Sequence, residues 1–86
     1  MKFLNIGFNN SVSLSRVVAI VGADASTSRR LKDEAKKLAK LVDGTNGRRT
    51  RSLIVADSGH VILSSVEPET LLARAEEKDQ HEGNNG

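Results

Sequence analysis

The 86-residue sequence has no cysteine, tryptophan or tyrosine, a single proline (Pro68) and only two aromatic side chains, Phe3 and Phe8. Without cysteine there is no disulfide framework, which excludes a stapled secreted scaffold, and there is no cysteine-ligated metal centre. Two rings make a poor platform for a row of stacked bases, and they exclude a core built of large aromatics. No stretch approaches the roughly 20 apolar residues of a membrane span. The start, Met1 to Asn5, turns polar too soon for the apolar region of a secretory leader. The location expected on this basis is the cytoplasm. A chain this short holds one core and buries only about 60–65% of its unfolded surface.

What the sequence does have is charge, unevenly placed. Residues 1–51 carry eleven basic and four acidic side chains, whereas residues 52–86 carry two basic and seven acidic ones. A basic part facing a polyanion accounts for this split, and so does a solvated basic helix followed by an acidic tail.

Leu4, Ile6 and Phe8 alternate with small or polar residues, which predicts a strand over 3–8 with one buried face. Asn9-Asn10-Ser11 reads as a turn. Residues 12–21 are rich in β-branched side chains and apolar at both parities from Val17 to Val21, which predicts a second strand covered on both faces. Leu31, Ala35, Leu38 and Val42 form one apolar stripe, which predicts a long amphipathic helix over 28–42 that is closed by a left-handed Gly44. Strands at 52–56 and 60–64 flank the Asp57-Ser58-Gly59 turn, and a short helix begins at Pro68 with Leu71, Leu72 and Ala75 on its apolar side. Residues 76–86 lack apolar side chains and are expected to form a disordered acidic tail after a single domain of residues 1–75.

The expected fold is α+β in the order ββαββα, with a mostly antiparallel four-stranded sheet. One helix covers one face of such a sheet. The other face then needs the short helix and a partner subunit, which predicts a homo-oligomer.

Little here resembles an enzyme. Asp57, Ser58 and His60 have the letters of a hydrolase triad, but three residues on one tight turn do not project toward one another as a triad requires. Asp57 and His60 also fall short of the three protein ligands of a catalytic zinc. No metal, cofactor or small-molecule substrate is expected. Gly44-Thr45-Asn46-Gly47 has neither the spacing nor the Lys-Ser/Thr of a phosphate-binding P-loop. Its Gly-x-x-Gly spacing matches the backbone clamp of KH domains, but it joins a helix to a strand and not two helices.

Arg48, Arg49 and Arg51 crowd into four positions, and arginine forks match phosphate oxygens. Arg16 is a cation within a strongly apolar strand, on the parity of Leu14 and Val18. Arg29, Arg30, Lys32, Lys36 and Lys40 form a second basic surface on the helix. Arg29 and Arg30 stand in its first turn, where the helix dipole disfavours cations and a bound anion or an acidic neighbour would offset the cost. Each of these groups also reads as a solvated surface cluster.

The segments Lys2-Phe3-Leu4-Asn5-Ile6-Gly7-Phe8, Gly47-Arg48-Arg49-Thr50-Arg51, His60-Val61-Ile62-Leu63-Ser64-Ser65-Val66 and Pro68-Glu69-Thr70 together resemble the RemA-like family of small bacterial extracellular-matrix regulators. The resemblance spans residues 2–74. It departs from the family pattern at Gly22–Ser26, where a proline is expected, and around Gly44–Asn46. It implies a non-enzymatic transcriptional regulator of biofilm-matrix genes that binds double-stranded DNA as a ring-like homo-oligomer. It places the DNA-contacting arginines at Arg16, Arg48 and Arg49. A protein-interaction module or an RNA-binding protein are the competing readings of the same charge.

Overall fold

The computed structural model describes residues 2–85, with side chains described for 2–76. The chain forms β1 (Phe3–Gly7), β2 (Asn10–Ser13), a 3-10 turn (Leu14–Arg16), β3 (Val17–Gly22), α1 (Ser28–Lys37), β4 (Leu41–Asp43), β5 (Ser52–Ala56), β6 (Val61–Ser64) and α2 (Pro68–Asn85). The class is α+β as expected, but the strands are dealt out differently.

The first two strands do not join the main sheet. β1 and β2 form a separate antiparallel hairpin, and the four-stranded sheet has the order β3-β5-β6-β4. The strand expected over 12–21 is cut by the 3-10 turn at Leu14–Arg16. Before the turn the chain pairs with β1, Phe3 opposite Ser13, and after it with β5, Val17 opposite Ala56. The segment that reads as one strand therefore passes from one layer to another.

The fourth strand comes from the end of the expected helix. α1 stops at Lys37 in a Schellman arrangement: Lys40 N–H bonds the Ala35 carbonyl at 2.7 Å and Ala39 N–H bonds that of Lys36 at 3.2 Å, with Ala39 left-handed at φ +57°. Alanine stands where glycine is usual, so nothing local announced the stop. Leu41–Asp43 then runs parallel to β6, Leu41 opposite Val61, so the sheet is mixed and not purely antiparallel. Leu38 and Val42, expected on the buried stripe, are exposed at 67% and 46%.

Gly44 is not a left-handed cap. It donates its N–H to the Leu63 carbonyl at 2.9 Å, and a Cβ there would lie 3.0 Å from that oxygen and 3.3 Å from Ile6 Cδ1. Glycine is required by the close approach of two chains.

The core has two halves, one on each face of the sheet. Leu53, Val61 and Leu63 pack with Ala35, Leu31 and Leu41, so α1 covers one face. Ile54 and Ile62 pack with Leu4, Ile6 and Leu71, so the hairpin and α2 cover the other. Leu53 and Ile54 are both fully buried, as a strand covered on two faces requires. The hairpin supplies the cover that was assigned to a partner subunit. Buried serines pin the layers together: Ser64 Oγ donates to the Ile6 carbonyl at 2.9 Å, and Ser52 Oγ to that of Val66 at 2.5 Å. Losing either hydroxyl would remove one such hydrogen bond, at a cost of about 0.5–1.5 kcal/mol.

α2 starts at Pro68 as expected but is not short, since it runs to Asn85. Leu71 is buried in it, while Leu72 is exposed. The side chains of the acidic segment 77–86 lie outside the described residues. Among the described residues, no helix is long and apolar enough to cross a membrane.

Candidate nucleic-acid interface

Two tight turns with left-handed residues meet at one end of the sheet. The first joins β1 to β2, with Gly7 opposite Asn10 and both central residues, Phe8 and Asn9, at positive φ (+53° and +64°). The second runs from Thr45 to Arg48, closed by Arg48 N–H to the Thr45 carbonyl at 3.0 Å, with Asn46 at +53° and Gly47 at +79°. Positive φ at both centres is what a type I′ turn requires, and Asn-Gly is its favoured pair. Asn10 Nδ2 ties the two turns together by donating to the Gly44 carbonyl at 3.3 Å.

The base of the second turn is held by Asp43. Its Oδ1 accepts the Thr45 hydroxyl at 2.6 Å and the Thr45 N–H at 2.9 Å, and Thr45 is buried. These two bonds hold the Asp43 carboxyl below its ordinary range of about 3.8. The segment expected to be a loose glycine loop is therefore an ordered turn carrying Arg48 and Arg49, both exposed, at its exit.

The four candidate arginines differ in the company they keep. Arg16 is 3.4 Å from Asp57, and Arg51 is 3.4 Å from Glu67. Arg48 Cζ lies 5.6 Å from the centroid of the Phe8 ring. Among the described residues, neither Arg48 nor Arg49 has a carboxylate partner. Arg16 is not within a strand, as expected, but ends the 3-10 turn. It also stands far from the other three: Val17 opposite Ala56 and Gly22 opposite Ser52 put it at the other end of the β3–β5 ladder, a span of about 17 Å.

The second basic surface is dispersed. Arg29, Arg30 and Lys36 are exposed along α1. Lys40 lies beyond the helix and donates to the Ser58 carbonyl at 2.7 Å. Lys32 joins Arg49 and Arg51 in a cleft of about 490 Å³, which Asp24, Glu67 and Glu69 line with opposite charge. Ser28, the first residue of α1, is buried and donates to the carbonyls of Ala23 and Ala25 at 2.6 and 2.9 Å.

The Asp57 turn does not assemble a triad. Ser58 Oγ and His60 Nδ1 are 2.6 Å apart, but the Asp57 carboxylate faces Arg16. Gly59 takes the positive φ that the turn needs, +89°.

Sequence reasoning missed Phe8 and Glu67. Phe8 was assigned to a buried strand face, yet it sits beyond the strand at 44% exposure. The signal available was its position directly before Asn9-Asn10, which makes it a turn residue. Glu67 gave no signal, because its partner Arg51 lies in another element.

The family model described as RemA-like, extracellular matrix regulatory protein A-like, matches residues 3–75. The chain is 54% identical over 74 residues to a protein of Thermodesulfovibrio yellowstonii named "Putative regulatory protein", covering 86% of this chain and 87% of that one. A Geobacillus thermodenitrificans protein with the same description is 53% identical over 74 residues, covering 86% and 85%. One from Dictyoglomus turgidum is 48% identical over 82 residues, covering 95% and 96%. These matches extend through the strands, both turns and the start of α2, and the chain belongs to the RemA-like family of regulatory proteins.

Proposed function

We propose that this chain is a non-enzymatic regulator of transcription that binds double-stranded DNA in the cytoplasm as a homo-oligomer, in the service of extracellular-matrix genes. The observation that carries the reading is the pair Arg48 and Arg49, exposed on an ordered turn with no carboxylate partner among the described residues. Arg51 and Arg16 are secondary contacts, because each already faces a carboxylate at 3.4 Å, Glu67 and Asp57 respectively.

One subunit offers few phosphate contacts, so useful affinity requires several copies acting together. The two edge strands of the sheet, β3 and β4, suit a head-to-tail assembly that closes into a ring. Each edge carries an exposed valine, Val18 on β3 and Val42 on β4. With the arginine pair carried on a turn and not on a helix, preference among DNA sites comes mainly from shape and bending.

The test is a titration of the protein against labelled AT-rich duplex DNA at several salt concentrations, beside Arg48→Ala and Arg49→Ala, with duplex RNA as competitor. Binding that falls steeply with salt, prefers DNA and is weakened in the variants supports the reading. Binding that is absent or indifferent to both substitutions refutes it and favours a protein-interaction module.

A further inference from the structure

Phe8 occupies a position that suits it badly. Its φ of +53° is a left-handed conformation that glycine and asparagine adopt readily and an aromatic residue does not. Its neighbour in the same turn, Asn9, is of the suitable type. Burial does not compensate, since the ring is 44% exposed. The local backbone would be better served by another residue, so the side chain must contribute something outside the turn.

What lies against it is Arg48. The guanidinium carbon is 5.6 Å from the ring centroid, within the range of a cation–π contact. The manner of holding an arginine matters for phosphate recognition. A carboxylate partner engages the N–H donors along the edge of the guanidinium, the same donors that a phosphate needs. An aromatic ring engages the flat face, leaving both the charge and the donor edge available. Arg16 and Arg51 each have one terminal nitrogen 3.4 Å from a carboxylate oxygen, whereas Arg48 has its guanidinium carbon over the Phe8 ring.

We propose that Phe8 is a positioning residue of the DNA site: its ring, presented by the strained β1–β2 turn, supports the face of Arg48 so that the donor edge is held ready for a phosphate. This rests on the DNA-binding reading above. The strain in the turn is the cost of placing a ring at that spot.

The experiment uses the full chain and labelled duplex DNA, with Phe8→Leu, Phe8→Tyr and Phe8→Asn, each alone and combined with Arg48→Ala. Phe8→Leu is expected to weaken binding about two- to fivefold, and Phe8→Tyr to bind like wild type. In the Arg48→Ala background, Phe8→Leu is expected to have no further effect, because the two side chains act as one unit. Phe8→Asn is expected to melt higher than wild type while binding DNA more weakly, a combination that a merely structural Phe8 cannot give. The proposal is overturned if Phe8→Leu binds like wild type, if Phe8→Tyr fails to restore binding, if the Phe8 and Arg48 effects simply add, or if Phe8→Asn melts lower. Wild-type protein that does not bind DNA refutes the functional reading and this proposal together, whereas wild-type binding with an unaffected Phe8→Leu refutes this proposal alone.

Discussion

Arg16 and Arg51 stand at opposite ends of one antiparallel ladder, with Val17 opposite Ala56 at one end and Gly22 opposite Ser52 at the other. Each faces a carboxylate at 3.4 Å, Asp57 and Glu67 respectively. The four arginines therefore divide into two that face a carboxylate and two that, among the described residues, form no such ion pair. Arg48→Ala and Arg49→Ala are each expected to reduce the salt dependence of DNA binding by about 0.9 in the log–log slope. Arg16→Ala and Arg51→Ala should change it less. Thermal melts of all four should stay within about 0.5 kcal/mol of wild type, since the sites are exposed. Equal losses for all four variants in a salt titration would contradict the division.

The early end of α1 changes which leucine matters. Leu38 is 67% exposed, while Leu53 and Leu71 are fully buried on opposite faces of the sheet. Leu38→Ala is expected to cost less than about 0.5 kcal/mol. Leu53→Ala and Leu71→Ala should each cost about 2–5 kcal/mol, through lost burial and the cavity left behind. Urea unfolding of the three variants ranks them directly.

Ala39 is the residue that turns the chain from α1 into β4, at φ +57°. Glycine tolerates that conformation without a Cβ clash, and it is the usual residue at this point of a Schellman ending. Ala39→Gly is expected to stabilise the fold by about 0.5–1 kcal/mol, seen as a melting point a few degrees higher. A lower melting point would mean that the Ala39 methyl makes a contact worth more than the strain.

Asp43 gives the arginine turn a pH dependence. Its carboxylate is stabilised by the Thr45 hydroxyl and N–H, so its folded pKa lies below the ordinary value of 3.8. A depressed carboxylate contributes stability above its unfolded pKa and loses it as the pH falls through the folded value. Asp43→Asn should therefore melt below wild type at neutral pH, and the gap should close as the solution is taken below about pH 3.8. A gap that stays constant into acid would show that the charge of Asp43 is not what holds the turn.

Much of this was legible in the sequence because it is local. Alternation located β1, the twofold-apolar runs located β3 and β5, the Leu31–Ala35 spacing located α1, and Pro68 located the start of α2. The arginine cluster announced itself by density alone, and so did the Asp57-Ser58-Gly59 turn. Each of these signals is carried by neighbouring residues and by the periods of helix and strand.

The tertiary structure decided what depends on residues distant along the chain. Leu41–Asp43 continues a helical pattern in sequence, and it becomes a strand because the edge of β6, twenty positions later, offers a parallel partner. The run at 12–21 reads as one strand rich in β-branched residues, and it divides between two layers because β1 pairs with its first part and β5 with its second. Arg48 and Phe8 look unrelated until two left-handed turns are tied side by side by the bond from Asn10 to Gly44. The sequence determined which residues carry the charge. Long-range backbone pairing determined which of those charges face a carboxylate among the described residues and which do not, because an ion pair or a ring contact depends on distance in space, which local pattern does not encode.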